Sequence, residues 1–358
     1  MIEARIKKRF AAGRESSGFS LQMSFQAGPG VTVLFGPSGG GKTLTLDAIA
    51  GFEHPDDGRI LLDDEILFDG PTGVCLPPRA RQCGYVFQNY ALFPHMTLRQ
   101  NLEFAVERVP RLERLRRVAE LLEKFHLADV AGRRPHQLSG GQKQRCSIAR
   151  ALIGSPRVLL LDEPSRGLDP ALRTELHALL AQVRAEYEKP ILLVTHDVEE
   201  CFALADQVLI VIGGKVAQSG AARKVFEQPA NVDVARALGL YNVLAVEIRA
   251  LDPSKNSSKL RIADNHEIAG PYFPGRLIGD RGWLCVRPEQ LMAVPRNGGS
   301  ANRNQIPVSL ANVKVTPWRT RLEFAGDLAV EAPRFDAEAL RTSKDWWIEF
   351  PQQGLWLI

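Results

Sequence analysis

The segment Gly36-Pro37-Ser38-Gly39-Gly40-Gly41-Lys42-Thr43 constrains this chain more than any other, because of what flanks it. Before it, Val31-Thr32-Val33-Leu34-Phe35 is a β-branched and aromatic run that predicts a buried strand. After it, Thr43 to Gly51 predicts a helix. A G-x-x-x-x-G-K-[ST] loop in that setting gathers backbone N–H groups at a helix N-terminus, where partial positive charge favours a bound anion. At least one strand–loop–helix unit, the building block of a parallel α/β sheet, is therefore expected.

Other segments extend that sheet. Val158 to Leu161 and Ile191 to Thr195 are continuous apolar runs, as strands covered on both faces require. Helical patterns at Leu172 to Tyr187 and Val198 to Leu204 separate them. Ile2 to Phe10 and Phe19 to Phe25 alternate apolar with polar residues, which predicts half-buried strands. Gly58 to Gln88 predicts short strands, and Thr97 to Val130 an Arg- and Leu-rich helical stretch. Beyond about Leu240 the texture changes to short strands with Pro and Gly turns, such as Leu284-Cys285-Val286 and Arg321-Leu322-Glu323-Phe324. Asn297 to Asn302 reads as a flexible connector. With 358 residues, two domains are expected, 1–235 and 236–358, the second all-β.

Composition narrows the class. Hydrophobic residues make up 45% and charged residues 24%, enough for a packed core. The net charge of +4 fits a solvated mixed surface with at most weak affinity for anions or acidic headgroups. Five scattered cysteines without a CxxC pair predict reduced thiols rather than a disulfide framework or zinc site. The N-terminus lacks an apolar signal region. The uncharged stretch from Gly18 to Gly41 is broken by glycines and prolines, so it predicts strand, turn and strand rather than a membrane span.

Four more segments carry chemistry. Asp162-Glu163 ends an apolar strand, and carboxylates at that edge of an open α/β sheet face a ligand held on the loop. Asp162 suits a magnesium shell and Glu163 suits polarising a water as general base. Lys42 is expected to reach the β- and γ-phosphates, and the Thr43 hydroxyl to ligate magnesium. Leu138-Ser139-Gly140-Gly141-Gln142, before a predicted helix at Lys143 to Leu152, offers a second anion site. Two such sites far apart in sequence favour a nucleotide sandwiched between two subunits. Gln88, in Tyr85-Val86-Phe87-Gln88, and His196, in Thr195-His196-Asp197, complete the order.

Read together, these motifs resemble the ATP-binding subunits of ABC transporters over about residues 1 to 230. The resemblance implies an α/β P-loop NTPase cassette with a helical subdomain, binding ATP and Mg2+. It implies that Glu163, His196 and Gln88 are catalytic, His196 as the switch histidine and Gln88 as the Q-loop glutamine. Gly36 to Thr43 would bind nucleotide, with Ser139, Gly140, Gly141, Gln142 and the D-loop Asp169; Thr43, Gln88 and Asp162 would serve the metal. A head-to-tail homodimer, membrane permease subunits contacted near Gln88 to Met96, and an external substrate-binding protein follow from the same resemblance. So does a place on the cytoplasmic face of the membrane, with no nucleic-acid partner. Ser165-Arg166-Gly167 departs from the small or apolar residues usual there; the family's adenine-stacking aromatic stands upstream of the glycine loop, a place that Phe10 and Phe19 both suit, as each also suits a plain core role.

Within the family, Tyr90 to Thr97 is similar to importers of oxyanions, polyamines and sugars, and Gly73 to Gln88 most resembles molybdate importers. In the tail, Arg303-Asn304-Gln305-Ile306 and Gly354 to Ile358 resemble the OB-like (TOBE/Mop-type) β-barrel that binds oxyanions in that group; Arg287-Pro288-Glu289 is shared by several importers. The expected cargo is molybdate, with sulfate, iron(III), polyamine and sugar importers open, and the tail either binds an oxyanion or only dimerises. A soluble ABC ATPase not coupled to transport is the rival class. It predicts tandem cassettes or a long coiled-coil insertion, and neither is in this chain.

Overall fold

A computed structural model describes residues 1–11, 18–262, 266–296, 304–316, 319–333 and 344–358. They form two compact units, Met1–Glu227 and Gln228–Ile358.

The first unit is built on two sheets. In chain order its elements are β1 (Ile2–Phe10), β2 (Phe19–Ala27), β3 (Gly30–Phe35), α1 (Lys42–Ala50), β4 (Asp57–Leu62), β5 (Glu65–Asp69), β6 (Val74–Cys75) and β7 (Cys83–Val86). Then come α2 (Leu98–Ala105), α3 (Arg111–Lys124), α4 (Gly140–Leu152), β8 (Val158–Asp162), α5 (Pro170–Glu186), β9 (Pro190–Thr195), α6 (Val198–Leu204), β10 (Gln207–Ile212), β11 (Lys215–Gly220) and α7 (Ala222–Glu227). One sheet has the order β11-β10-β3-β9-β8-β7 and is parallel except for the β10–β11 edge. The other has the order β2-β1-β4-β5-β6 and is antiparallel.

The sequence patterns explain which strands go where. β8 and β9 are buried throughout, as continuous apolar runs demand, whereas β1 and β2 bury alternate residues. Helix α1 touches β1 of one sheet and β8 and β9 of the other. Its Leu46 and Ile49 share a core with Ile2, Ile6 and Leu21 on one side and Leu34, Leu160 and Leu192 on the other. Burying each such side chain contributes roughly 1.5–3 kcal/mol. The loop before α1 is thus fixed to a helix that cannot shift without opening both sheets.

The helical stretch expected over Thr97 to Val130 is two helices. Thr97 opens α2 with a capping box to Gln100, and Pro110 stands at the start of α3, where it cannot continue a preceding helix. Among the described residues no helix is long and apolar enough to cross a membrane. The five cysteines are unpaired.

The second unit contains α8 (Val232–Leu238), β12 (Asn242–Asp252), β13 (Ser257–Arg261), β14 (Glu267–Gly270), β15 (Arg281–Val286) and β16 (Met292–Pro295). It continues with β17 (Gln305–Val315), β18 (Arg319–Phe324), β19 (Leu328–Pro333), β20 (Asp345–Glu349) and β21 (Trp356–Leu357). It begins a few residues before position 236, because all of α8 belongs to it. Two five-stranded antiparallel sheets, β14-β13-β12-β15-β21 and β16-β20-β17-β18-β19, share a core that includes Val246, Leu260, Leu284, Leu322, Trp346 and Ile348. Buried Asn242 ties them together, donating to Ala329 O at 2.8 Å and accepting from Ala329 N at 2.7 Å.

The Asn304 side chain is engaged within this unit: it accepts from Ala269 N at 2.5 Å and donates to Ala269 O at 3.2 Å and Phe350 O at 2.6 Å. It pins two strand ends. Arg303 and the connector Asn297 to Asn302 lie outside the described residues.

Candidate active site

The glycine loop follows β3 and turns back over the sheet. A Cβ on Gly36 (φ 152°) would lie 2.2 Å from Val211 O, and one on Gly41 (φ 93°) 2.5 Å from Leu21 Cδ1. Only glycine fits either position. Gly40 N donates to Pro37 O at 3.2 Å, which closes the turn around Ser38 and Gly39. Pro37, Ser38 and Gly39 are exposed at the tip. Phe19 faces the loop, with Cζ 3.0 Å from that position on Gly41, and Phe10 lies 6.4 Å from Phe19 between ring centroids.

Lys42 is buried at 6% exposure and donates to Gly36 O and Pro37 O, each at 2.8 Å. Burial pushes its pKa down, while Glu163 and Asp162 pull it back up. Its charge therefore stands among loop carbonyls, close to two acids and poorly solvated. An added anion would relieve that.

Thr43 Oγ1 donates to Asp162 Oδ1 at 3.0 Å, joining the end of the loop to the end of β8. Burial pushes the Asp162 carboxyl up; the bond from Thr43 lowers it and Glu163 raises it further. A hydroxyl and one carboxylate are hard oxygen donors, the kind that hold Mg2+ together with waters and phosphate oxygens. The donor set fits that ion, and the amide-lined loop fits a phosphate chain.

Glu163 gathers the remaining candidates. Its φ of +46° is left-handed, a strained setting for a non-glycine residue, and Val194 O accepts from its N–H at 3.0 Å. Gln88 Nε2 donates to Glu163 Oε2 at 3.2 Å, and His196 Nδ1 lies 3.5 Å from Oε1. Gln88 thus meets the carboxylate of Glu163, while Thr43 meets that of Asp162. Arg166, which sequence reading noted only as a departure, also reaches Glu163 Oε2, at 2.8 Å.

Ser139 to Gln142 do not simply precede a helix; they begin it. Ser139 is the N-cap of α4, accepting from Gln142 N at 3.2 Å, and Gln142 Oε1 accepts from Ser139 N at 3.1 Å. Gly140 and Gly141 form the first turn, close to Leu168 and Leu172. These bonds close on one another, not on the glycine loop. Asp169 is likewise an N-cap, accepting from Leu172 N at 3.0 Å at the start of α5.

Sequence reading missed Arg81. Fully buried, it donates to Ala48 O at 2.7 Å, Ile49 O at 2.9 Å and Leu76 O at 2.8 Å. It satisfies carbonyls at the C-terminal end of α1, where a cation also suits the helix dipole. Tyr85 OH donates to Asp47 Oδ1 of the same helix at 2.8 Å.

Residues 20–166 match the family model described as ABC transporter. The chain is 44% identical over 216 residues to the molybdenum import ATP-binding protein ModC of Paramagnetospirillum magneticum, covering 60% of this chain and 60% of that protein. It is 40% identical over 290 residues to the spermidine/putrescine import ATP-binding protein PotA of Vibrio cholerae, covering 80% of this chain and 74% of that protein. Among solved structures it is similar to the dimeric ATP-binding cassette MJ0796 in a post-hydrolysis state bound to ADP and Pi. That likeness has a TM-score of 0.54 at 27% identity and covers 62% of this chain and 99% of that one. The chain spans under two thirds of the ModC relative, but the PotA alignment takes in most of both proteins. On that alignment and the motif geometry, the chain belongs to the family of ABC transporter ATP-binding proteins.

Proposed function

We propose that the chain is the ATP-hydrolysing subunit of an ABC importer and that its cargo is molybdate. The observation that carries the ATPase reading is the junction of loop and strand end: Lys42, Thr43, Asp162 and Glu163 converge on one place. Lys42 and the amides of Gly36 to Thr43 bind the phosphates, with Pro37, Ser38, Gly39, Gly40 and Gly41 shaping the cradle. Thr43 and Asp162 would hold Mg2+, which when bound neutralises phosphate charge. Glu163 takes a proton from the attacking water, and Gln88 and His196 orient that carboxylate.

The second half of the site comes from a second copy. Ser139, Gly140, Gly141 and Gln142 form a capped helix start whose free amides suit phosphate, and Asp169 sits beside them on the next helix. A head-to-tail homodimer brings that helix start to the partner's glycine loop. Membrane subunits dock in the 550 Å³ cavity lined by Tyr85, Phe87, Phe93, Phe104 and Arg150, next to the Gln88 to Met96 segment. An external binding protein delivers the cargo to those subunits from the other side, while this chain sits at the cytoplasmic face of the membrane.

For the cargo, the identity to ModC supports molybdate, and the longer alignment to PotA favours a polyamine as the second reading. The two antiparallel sheets of the second unit suit an OB-like barrel of the TOBE/Mop type. A 420 Å³ cavity there is lined by His266, Arg296 and Ser309, with the Asp345 carboxylate also on its wall. Calorimetric titration of the full chain with molybdate, tungstate, sulfate and spermidine tests this. Heat with molybdate but not with sulfate or spermidine supports the molybdate reading; heat with spermidine alone replaces it.

A further inference from the structure

Arg166 belongs to the site, yet no step above uses it. Glu163-Pro164-Ser165-Arg166 forms a tight turn in which Arg166 N donates to Glu163 O at 3.1 Å. Proline at its second position favours that turn. The turn folds the guanidinium back over the carboxylate, so that Arg166 Nη1 donates to Glu163 Oε2 at 2.8 Å. The same oxygen accepts from Gln88 Nε2 at 3.2 Å, and His196 Nδ1 faces Oε1 at 3.5 Å. A general base takes its proton through a carboxylate lone pair, and Arg166 competes for one.

Resting on the ATPase reading, we infer that Arg166 is a positioning residue that restrains Glu163, so that the base works only once this ion pair opens. When it opens, a water proton passes to the Glu163 carboxylate, the hydroxide oxygen bonds to the γ-phosphorus, and the bond to the β-phosphate oxygen breaks. The guanidinium keeps its charge throughout. The restraint is light: the Arg166 side chain is 58% exposed against 14% for Glu163, and an ion pair with an exposed partner is worth little. A 470 Å³ cavity beside the pair, lined by Gly167, Thr195, His196 and Asp197 among others, gives the guanidinium somewhere to swing. The Asp197 carboxylate there already holds Arg173 at 2.8 Å and caps α6.

The test compares wild type, R166A and R166K in the full-length chain. Steady-state ATP hydrolysis and the affinity for a fluorescent ATP analogue are both measured, at two salt concentrations. In R166A, kcat at saturating ATP is expected to rise about two- to five-fold, the factor an exposed ion pair supplies. KM and analogue affinity stay unchanged, and R166K falls between the two. Raising salt from about 0.05 to about 0.5 M screens the pair, so it lifts wild-type kcat toward that of R166A and leaves R166A flat. A wild type that hydrolyses ATP, with R166A no faster or equally salt-sensitive, overturns the restraint alone. Analogue binding without hydrolysis in wild type and variants alike removes the ATPase reading, and the restraint with it.

Discussion

Thr43 Oγ1 and Asp162 Oδ1 lie 3.0 Å apart although 119 positions separate the two residues. The bond spans from the first turn of α1 to the last residue of β8, both packed into one core. The pair that would receive a metal is therefore set by the sheet, before any ligand arrives, which is how a rigid scaffold preorganises a site.

Asp162 stabilises the site at a cost to the fold. Burial holds its carboxyl above the ordinary carboxylate range, so the stability it lends is complete below that range and is lost as pH rises through the raised value. D162N keeps an oxygen for the Thr43 hydroxyl and removes the charge. Without nucleotide it is expected to melt higher than wild type at neutral pH, with the gap closing on acidification. The magnesium needed for half-maximal hydrolysis rises by at least about tenfold. Thermal scans across pH and a magnesium titration measure the two; a lower melting point at pH 7 contradicts the burial argument.

Arg81 is expected to matter for stability rather than chemistry. Truncation in R81A leaves carbonyls of Ala48, Ile49 and Leu76 without their donor, and each orphaned buried group costs about 1–3 kcal/mol. A loss of about 3 kcal/mol or more should follow in urea denaturation. R81K recovers only part of it, because an ammonium cannot reproduce the fork. An unchanged midpoint in R81A contradicts the role.

These two residues show what was legible in the sequence. Asp162 announced itself, because a carboxylate after four apolar residues has a meaning set by strand geometry alone. The strands of the parallel sheet were readable for the same reason: Val158 to Leu161 and Ile191 to Thr195 carry no polar residue until their ends. Arg81 gave no such sign. Its carbonyl partners are up to 33 residues away, and only the packed helix brings them together. The pairing of Arg166 with Glu163 hides in a four-residue turn, where spacing suggests contact but not which side chain turns back. In the second unit, individual strands such as Leu284-Cys285-Val286 could be read, but strand order could not, since β12 pairs with β15 across a long intervening stretch.

Ser139 carries two roles that one substitution separates. S139A loses the cap of α4, about 1 kcal/mol, and with it a hydroxyl for the partner's nucleotide. S139T keeps the cap. Light scattering of E163Q with ATP should give a dimer that S139A weakens and S139T preserves, while ADP leaves monomers. The same mass with either nucleotide, untouched by S139A, contradicts the head-to-tail dimer.

The most direct measurement is steady-state ATP hydrolysis by E163Q against wild type, with ATP binding checked alongside. Glutamine keeps the shape of Glu163 and an oxygen for Gln88 and Arg166, but it cannot accept the water's proton. E163Q is expected to bind ATP as wild type does and to turn over roughly 10²–10⁴-fold more slowly. Hydrolysis near the wild-type rate would contradict it.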